Sequence, residues 1–594
     1  MSKKVIKKIP YGISDYEKIV RDNCYYVDKT GFIEPLEKAG DYLFFIRPRR
    51  FGKSLFLSVL QGYYDVRFKD RFDELFKGTY IHDHPTAERG NYLVLPFNFS
   101  AVDPDIRRVE TSFLYYVKEQ ADLFIYAYAG QLGIRYEENE EFIKQLESPP
   151  DVLRYLIKLC KKSSRKIYIL IDEYDNFANT ILSIHGEYEY EKLTHGDSFF
   201  RAFFNVLKEG TGGMGAPISR LLLTGVSPVT LDDVTSGFNI GKNISIDPNF
   251  NSMLGFSETD VIQVIEHYRA AGLIQHETAH LLEIMKQWYN NYIFSKKTKN
   301  TLFNSDMVLY FIDEYSRYSG IPDDLIDRNV RIDYGKLRHL IITDREDKKS
   351  VNGNFSKLRQ IIEDGRIVSK LEKGFPAEKI ILPQNFISLL FYFGLLTIEG
   401  EKEGELVLTI PNETVKRLYY DYISEGYDET GTFSMDLYRY DRLMHAMGYK
   451  GEWQPLFEYI TGLMRESIGL RDLITGEKSI RAFLNVYLGL SNLYIIHVER
   501  EFNRGYADLM LAPFKIRYKG IEYSYILEIK YIKKEGRKEI PPKEIEAKIK
   551  EAEEQLKKYS LDAKLKKMID QTVLVKLALI FSGSELLHIV EVKD

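Results

Sequence analysis

The alternation of apolar and polar positions predicts strands and helices in turn along the first part of the chain. An apolar run at 43–46 precedes a basic loop at 47–52 and a helical pattern that begins at Lys53. The run 167–171 is apolar and β-branched, which is typical of a central parallel strand that is buried on both faces. A third apolar run lies within 219–228. This pattern predicts an α/β fold built on a parallel sheet.

The first strand, loop and helix have the order of a phosphate-binding P-loop. Gly52, Lys53 and Ser54 stand where backbone N–H groups and the helix dipole favour an anion. Lys53 would reach the β- and γ-phosphates of a nucleotide, and the Ser54 hydroxyl would hold Mg²⁺. The usual motif begins with a glycine, where this chain has Arg47. Because the tripeptide Gly-Lys-Ser is common by chance, the prediction of nucleotide binding depends on the flanking strand and helix and on a second motif.

The second motif is the acidic end of the strand at 167–171. Asp172 and Glu173 follow that strand, so two carboxylates are expected at the carboxyl edge of the sheet, where open α/β sheets bind ligands. Asp172 would hold the Mg²⁺ shell, and Glu173 would polarise the attacking water. An acidic turn after a strand is frequent, but its combination with a P-loop in this order predicts a P-loop NTPase that uses ATP and Mg²⁺.

Several stretches, in this order, resemble the bacterial and archaeal AAA-ATPase-like family. They are IPYGISDYEKI, YYVDKT, FIRPRRFGKSLFLS, LIDEYD, LLLTGVSPVT, GFNI and LGFSETDV. The usual P-loop of that family is itself R-P-R-R-F-G-K-S, so Arg47 agrees with the family. The resemblance covers nearly the whole chain, and it implies an AAA-like ATPase region and a PD-(D/E)XK nuclease domain at the C-terminus.

The resemblance extends the nucleotide site to further residues: Arg49, Arg50, Phe51 and Thr224. We expect at least one of the two arginines to contact phosphate or the nucleotide of a neighbouring subunit, the alternative being a surface role. Thr224 resembles the sensor residue that reports the γ-phosphate, although threonine also ends many strands without touching a ligand. Asp28 and Lys29 of YYVDKT either contact the nucleotide or cap the helix that follows.

Near the C-terminus, the apolar pattern predicts two neighbouring strands with acidic residues. Asp508 lies on the first, and Glu528 and Lys530 lie on the second. Alternation along a strand puts Glu528 and Lys530 on one face. If Asp508 lies beside Glu528, the two carboxylates can bind Mg²⁺, and Lys530 can orient the attacking water and stabilise charge on phosphorus. This is the Asp…Glu-x-Lys pattern of the PD-(D/E)XK nucleases.

The nuclease resemblance implies further residues near that site. Glu477 opens the preceding helix, where the superfamily often has a catalytic glutamate near the metal. Gln555 and Tyr559 match a late Gln-x-x-x-Tyr helix motif. Glu499 or Glu501 could also reach the site, or both could be solvated strand charges.

The whole pattern predicts five segments. They are an AAA-like P-loop ATPase domain at 1–250, a helical lid at 251–320, a winged-helix-like region at 321–423, a linker at 424–445 and a PD-(D/E)XK nuclease-like α/β domain at 446–594. The lid begins with a capping-box arrangement of Ser257 and Asp260. The winged-helix region is expected from a helix, a strand, a turn and a strand, and it either reads DNA or serves as a packing element.

Composition restricts the class of protein further. The chain has 594 residues, with a hydrophobic content of 44% and a charged content of 28%, which are ordinary for globular proteins. Two cysteines give no disulfide framework and suit a reducing compartment, so we expect a cytoplasmic protein. The sequence shows neither a signal-peptide pattern nor an apolar run of membrane-spanning length. A net charge of −5 argues against a uniformly cationic nucleic-acid binder, but it allows a local basic groove.

These features predict ATP hydrolysis coupled to metal-dependent cleavage of nucleic acid, most simply DNA, in defence or in the control of mobile elements. The expected partners are nucleic acid and, through the ATPase domain, further copies of the chain, with no membrane. The main alternative is a nucleotide-switch or signalling ATPase whose nuclease-like domain binds nucleic acid without cleaving it. A scaffold that merely binds ATP is a third hypothesis. The complete set of Asp508, Glu528 and Lys530 favours cleavage over binding alone.

Overall fold

The computed structural model describes residues 6–229, 240–330, 353–380, 382–471, 473–503, 505–534 and 539–593. The chain divides into two compact units. The first comprises 1–340 and 366–414, and the second comprises 341–365 and 415–594. Each unit contains a five-stranded sheet of its own, as expected for a chain that is too long to fold around one core.

The first unit is built on a parallel sheet. Its strands are β1 (Tyr42–Ile46), β2 (Leu93–Asn98), β3 (Ile167–Asp172), β4 (Ile218–Gly225) and β5 (Lys242–Asn243), in the spatial order β2-β3-β4-β1-β5. Every neighbouring pair is parallel. All six residues of β3 are buried, so the predicted central strand is confirmed. Because β4 lies between β3 and β1, the carboxyl ends of these three strands meet at one edge.

Helices make most of the connections in this unit. Its described α-helices are Tyr16–Arg21, Ile33–Ala39, Lys53–Tyr64, Phe72–Phe76, Tyr80–Asp83, Val109–Leu132, Tyr136–Gln145, Pro149–Lys162, Asn176–His185, Glu187–Thr194, Phe199–Thr211, Glu258–Ala270, Thr278–Tyr289, Ser305–Tyr318 and Pro383–Tyr392. Short 3-10 helices cover Thr30–Phe32, Val66–Arg71, Phe99–Ala101, Pro248–Phe250 and Ala377–Lys379. Ser257 and Asp260 form the predicted capping box at the start of the helix Glu258–Ala270.

The region predicted as a winged helix contains a small antiparallel sheet. Its strands β6 (Arg366–Ser369), β7 (Thr397–Lys402) and β8 (Glu405–Thr409) pair in the order β6-β8-β7. β7 and β8 follow the helix Pro383–Tyr392, which gives the expected order of helix, strand, turn and strand. Residues 331–352 of this region lie outside the described part of the chain, as does most of the GFNI stretch.

The stretch predicted as a linker, 424–445, lies mostly within helices. The helix Glu413–Glu429 covers its start, and the helix Leu437–Lys450 covers its end. The buried residues Tyr419, Ile423 and Tyr427 recur every four residues, so the helical period of the preceding sequence continues into this stretch. The predicted segment boundaries stay predictions.

The second unit is built on a mixed sheet. Its strands are β9 (Tyr494–Phe502), β10 (Gly505–Pro513), β11 (Tyr523–Tyr531), β12 (Val573–Ser582) and β13 (Glu585–Glu591), in the order β13-β12-β11-β10-β9. β11 and β12 are parallel, and the other neighbouring pairs are antiparallel. The remaining helices are Gly353–Asp364, Gln454–Glu466, Ile468–Arg471, Glu477–Gly489, Pro542–Ser560 and Ala563–Ile569.

The helix Pro542–Ser560 packs on this second sheet. Its residues Ala552 and Leu556 join Met510 and Ile526 of the sheet in one buried cluster. Among the helices that the structure describes, none combines the length and the apolar character that a membrane crossing requires.

Candidate nucleotide site and candidate nuclease site

The P-loop turns sharply between β1 and the helix Lys53–Tyr64. Gly52 caps this helix with a φ of 94°, and Arg50 has a φ of 68°. Glycine is the residue that adopts such a φ without strain, so the turn itself requires Gly52. The first backbone N–H groups of a helix lack acceptors within it, which makes this turn suited to binding phosphate.

Lys53 is buried at the start of the same helix. Its Nζ donates hydrogen bonds to the backbone carbonyl oxygens of Arg47, at 3.0 Å, and Pro48, at 2.9 Å. Burial lowers the pKa of the Lys53 ammonium, and the negative charges of Asp172 and Glu173 oppose that shift. The ammonium group therefore lies inside the loop, where phosphate oxygens could replace the carbonyl oxygens as its acceptors.

Asp172 joins the carboxyl ends of the three central strands. Ser54 donates a hydrogen bond to Asp172 Oδ2, and Thr224 Oγ1 donates one to Asp172 Oδ1 at 2.7 Å. The backbone N–H of Glu173 donates to the same Oδ1 at 3.0 Å. A hydroxyl next to a carboxylate provides the oxygen ligands that Mg²⁺ prefers. The structure thus brings Ser54, Asp172 and Thr224 together, and their roles toward a nucleotide stay predictions.

Glu173 has an unusual backbone conformation beside this network. Its φ of 49° lies in the left-handed region, and such strain is concentrated at functional sites. Asn176 Nδ2 donates a hydrogen bond to Glu173 Oε2, which orients the carboxylate. Both residues line a cavity of about 530 Å³ together with Gly52, Lys53 and Ser54. A cavity of this size suits a ligand as large as a nucleotide.

Arg50 ties the P-loop to the region predicted as a lid. Its guanidinium lies 2.7 Å from Asp306 Oδ2 and 3.5 Å from Asp327 Oδ2. Its carbonyl oxygen accepts a hydrogen bond from the Ser305 hydroxyl at 3.2 Å. Ser305 and Asp306 also line the cavity, as does Arg49. Contact of either arginine with phosphate stays a prediction.

Arg47, which stands where other P-loops have glycine, is buried in the core. Its guanidinium donates hydrogen bonds to three backbone carbonyl oxygens, those of Ile46, Ser245 and Phe250. It also lies 4.2 Å from the ring centroid of Phe294. Burial lowers the pKa of Arg47 to about 9. Its role is therefore to hold the start of the loop against the segment around 245–250.

Three other predicted residues have structural partners. The Phe51 ring meets the rings of Tyr292 and Phe294 with centroid distances of 5.0 Å and 5.5 Å, so it packs in the core. Asp28 accepts a hydrogen bond from the Thr30 N–H at 2.8 Å, in agreement with the capping role. Lys29 lies 2.8 Å from Asp260 Oδ2, the acidic residue of the capping box, and it also lines the cavity.

The second unit brings Asp508, Glu528 and Lys530 together on β10 and β11. The antiparallel register of these strands places Asp508 beside Glu528. Asp508 Oδ2 accepts a hydrogen bond from the Ile529 backbone N–H at 2.8 Å, and Lys530 Nζ donates one to Glu528 Oε1 at 2.8 Å. All three predicted side chains are buried. The pairing that the sequence analysis requires for a nuclease site is therefore present.

The electrostatics of this site fit a divalent cation. Burial and then the charge of Asp508 raise the pKa of Glu528 to about 7, against the opposing effect of Lys530. Burial and Asp508 likewise raise the pKa of Glu477. Glu528 Oε2 is buried and has no hydrogen-bond partner among the described residues. A cation held by Asp508 and Glu528 would neutralise this crowded charge and coordinate that oxygen.

The ligand set that the protein offers to a cation is small. The described part of the chain contains no group of three or more His, Cys, Asp or Glu residues arranged to hold a metal ion. Mg²⁺ is commonly bound by one or two carboxylates and keeps several waters. Asp508 and Glu528 are therefore sufficient as protein ligands, with water and substrate oxygens completing the shell.

Arg481 belongs to this site, although the sequence analysis does not single it out. It lies one helical turn after Glu477 and is 5% exposed. Its Nη1 donates a hydrogen bond to Asp508 Oδ1 at 3.0 Å, and its Nη2 lies 2.8 Å from Glu499 Oε1. Arg481 follows Glu477 by four residues, which places both side chains on one face of the helix. This spacing could have indicated Arg481 from the sequence, but it is too common on helices to predict a site by itself.

The helix Pro542–Ser560 also contributes to this site. Glu551 Oε1 lies 3.6 Å from Lys530 Nζ. Tyr559 is buried. Burial raises the pKa of its hydroxyl, and the negative charges of Glu528 and Asp508 raise it further. Gln555 Oε1 is buried without a hydrogen-bond partner in the described ranges. Tyr559 is therefore close to the carboxylates, and a role for Gln555 stays a prediction.

The chain is similar to a curated relative and to a solved structure. The relative is described as an uncharacterized protein in the vnfD 5' region of Azotobacter chroococcum mcd 1, and it is 30% identical over 335 residues, or 54% of this chain. The match spans 56% of that relative's length. The structure of the Aeropyrum pernix ORC2 protein (ADPNP–ADP complexes) has 12% identity and a TM-score of 0.33, over 70% of this chain and 93% of that one.

Two family models match the chain in the regions of the two sites. Residues 10–235, which contain the P-loop and the Asp172–Glu173 strand end, match the model described as predicted AAA-ATPase. Residues 475–591, which contain Asp508, Glu528 and Lys530, match the PD-(D/E)XK nuclease superfamily. The chain therefore combines an N-terminal region of the AAA-ATPase-like family with a C-terminal region of the PD-(D/E)XK nuclease superfamily.

Proposed function

We propose that the chain hydrolyses ATP at the P-loop of its first unit and cleaves nucleic-acid phosphodiester bonds in its second unit. The observation that carries this proposal is the buried group of Asp508, Glu528 and Lys530. Two adjacent buried carboxylates repel phosphate unless a cation lies between them and the substrate. A domain that only bound nucleic acid would have no use for this arrangement.

Each residue of the nucleotide site has a distinct task in this proposal. Lys53 exchanges its two carbonyl acceptors for phosphate oxygens of ATP. Mg²⁺, when bound beside Ser54 and Asp172, supplies neutralisation of the phosphate charge. Glu173 orients the attacking water and accepts its proton. Thr224 holds Asp172 in position through its hydrogen bond and acts as the sensor of the γ-phosphate.

The residues of the nuclease site divide the second reaction among them. Asp508 and Glu528 hold the divalent cation, which when bound supplies Lewis-acid activation. Lys530 orients the attacking water and stabilises the negative charge that develops on the phosphate oxygens. Glu477, whose pKa is raised by burial and then by the charge of Asp508, exchanges a proton at the same site.

The proposal extends to the partners of the chain. Nucleic acid, most simply DNA, is the substrate, and several copies of the chain assemble through the ATPase region. The combination of an ATPase with a nuclease suits a role in defence or in the control of mobile elements. The presence of an ATPase-like region and a nuclease-like region in one chain supports this substrate and this role.

Purified full-length protein tests the proposal directly. We expect cleavage of at least one of single- or double-stranded DNA or RNA in the presence of Mg²⁺ or Mn²⁺. Glu528→Gln should abolish this cleavage, whereas Glu585→Gln, which changes an exposed carboxylate on β13, should not. Absence of cleavage by the wild type with every substrate, with and without ATP, would contradict the proposal.

A further inference from the structure

Arg481 contacts two carboxylates that differ greatly in exposure. Its Nη1 donates a hydrogen bond to Asp508 Oδ1 at 3.0 Å, and the Asp508 side chain is 8% exposed. Its Nη2 lies 2.8 Å from Glu499 Oε1, and the Glu499 side chain is 52% exposed. The guanidinium is therefore anchored to the nuclease site on one side and covered on the other by a carboxylate that reaches solvent.

Glu499 is held in this position by an unusual backbone. It lies within β9 but has a φ of 45°, in the left-handed region that non-glycine residues rarely occupy. The register of β9 with β10 is the same on both sides of Glu499, so Glu499 stands opposite Asp508. Non-glycine residues held in the left-handed region are concentrated at active sites. Here the strained residue places its carboxylate on the Arg481 guanidinium.

We propose that Arg481 binds the substrate phosphate at the nuclease site, and that Glu499 occupies its outer side until phosphate displaces it. This inference rests on the proposed nuclease function and adds a residue to it. The planar guanidinium matches carboxylate and phosphate in the same two-pronged geometry. Glu499 Oε1 therefore stands where a phosphate oxygen would bind.

Lys530, a second cation of the site, is less suited to capture phosphate. Lys530 is paired with Glu528 at 2.8 Å and with Glu551 at 3.6 Å, and Glu528 is buried and cannot move into solvent. Glu499 can leave Arg481 by rotating into water, because its side chain is 52% exposed. Arg481 would then gain phosphate while it keeps Asp508 in place.

Binding of DNA in EDTA isolates this step when every protein also carries Glu528→Gln, because cleavage cannot occur and one of the two carboxylates that repel phosphate is removed. The probes are a fluorescein-labelled DNA duplex and its labelled single strand, and fluorescence anisotropy gives Kd for the full-length protein. We expect Glu499→Gln to tighten binding by about twofold to fivefold, because it removes a competitor of phosphate. The matched control is Glu501→Gln, which removes the same charge from an exposed position on the same strand and should change Kd by less.

The Arg481→Lys variant shows whether the gain acts through the guanidinium. Lysine keeps the charge but loses the fork geometry, so the variant should bind DNA more weakly. When Arg481→Lys is already present, Glu499→Gln should change Kd for DNA by no more than Glu501→Gln does. A purely structural role for Glu499 predicts weaker or unchanged binding instead, and thermal denaturation of each variant checks that it is folded.

Three outcomes would overturn the proposal. They are equal effects of Glu499→Gln and Glu501→Gln, a Glu499→Gln gain that persists with Arg481→Lys, and no DNA binding by Glu499→Gln. Each is distinct from failure of the proposed function, which would be seen as intact DNA binding without metal-dependent cleavage.

Discussion

Two buried lysines, Lys53 and Lys530, occupy the two sites and are held by different kinds of acceptor. Lys53 donates to two backbone carbonyl oxygens, which are neutral and are readily exchanged for phosphate. Lys530 is paired with the carboxylates of Glu528 and Glu551, which fix it in place. A carboxylate adds the attraction between opposite charges to the hydrogen bond of an ammonium group, whereas a carbonyl oxygen does not. Lys53 is therefore suited to capture an anion, and Lys530 to stay in position during a reaction.

Lys53→Ala should weaken ATP binding by about tenfold to a hundredfold, because it removes a charged donor that faces the phosphates. Isothermal titration calorimetry with ATP and Mg²⁺ measures this effect. The exposed Lys77 gives the control, Lys77→Ala, which should bind ATP as the wild type does. Equal affinities of the two variants would show that the P-loop does not bind nucleotide.

Glu173→Gln should separate binding from hydrolysis. Glutamine keeps the size of the side chain but cannot accept a proton from water, so we expect ATP affinity to be retained and hydrolysis to slow by about 10²-fold or more. The hydrogen bond from Asn176 to the side chain can form with the glutamine oxygen, which limits structural change. Steady-state phosphate release measures the rate, and hydrolysis at the wild-type rate would refute the role assigned to Glu173.

The raised pKa of Glu528 should make the free energy of unfolding depend on pH. Its pKa is raised from the ordinary 4.5 to about 7 in the folded chain, so between these values the folded state holds a proton that the unfolded state has released. Its contribution to the free energy of unfolding is therefore largest below about pH 4.5 and is lost as the pH rises to about 7. Relative to Glu528→Gln, the metal-free wild type should lose up to roughly 3 kcal/mol across this window. Urea denaturation in EDTA at both ends measures the difference, and a constant difference would contradict the account.

At the scale of single elements, the P-loop depends on a residue that its usual motif lacks. Arg47 fills the space behind the loop with a guanidinium that bonds three carbonyl oxygens. A glycine there would restore the common motif but would leave those acceptors without a donor and open a cavity. The loop of this chain is thus stabilised by the core of its own unit as well as by its turn.

Arg47→Gly should therefore lower the free energy of unfolding by about 2–5 kcal/mol, although it makes the P-loop conform to the common motif. Urea denaturation of the full chain measures this change through the transition of the first unit. Arg328→Gly, at an exposed position, is the control and should cost much less. A loss no greater than that of the control would mean that the buried contacts of Arg47 contribute nothing.

The elements that the sequence predicts well are those with local signals. β3 is an uninterrupted apolar run that ends in Asp172, and the P-loop combines an apolar run with Gly52 at a turn. Parallel packing then brings Ser54 to Asp172 without further information. The pairing of Asp508 with Glu528 likewise follows once two neighbouring strands are recognised. Alternation and strand order predict that these residues lie together, and the resemblance to the two families implies their roles.

The contacts that the sequence does not reveal depend on partners far along the chain. From the sequence alone, Arg47 looks like an ordinary charged residue of the loop. Two of the carbonyl oxygens that accept its hydrogen bonds belong to Ser245 and Phe250, which lie about 200 residues further along the chain. The contact of Arg481 with Asp508 crosses from a helix to a strand, and Glu499 reaches it only through its left-handed backbone. No local pattern encodes that backbone conformation. Such features need the three-dimensional arrangement of the unit to be recognised.

At the scale of the whole molecule, the chain carries two candidate sites, each within one of its two units. The residues that surround the P-loop belong to the first unit, and those around Asp508 and Glu528 belong to the second. Each proposed reaction can therefore be removed by a substitution that leaves the other site chemically complete. This separation makes the central claim, an ATPase and a metal-dependent nuclease in one chain, open to a direct test.

The most direct test measures both reactions in the same preparations of wild type, Glu173→Gln and Glu528→Gln. Labelled single- and double-stranded DNA and RNA report cleavage with Mg²⁺ or Mn²⁺, and phosphate release reports ATP hydrolysis. The account predicts that Glu528→Gln loses cleavage and keeps ATP hydrolysis, whereas Glu173→Gln loses hydrolysis. Undiminished cleavage by Glu528→Gln, or undiminished hydrolysis by Glu173→Gln, would contradict it.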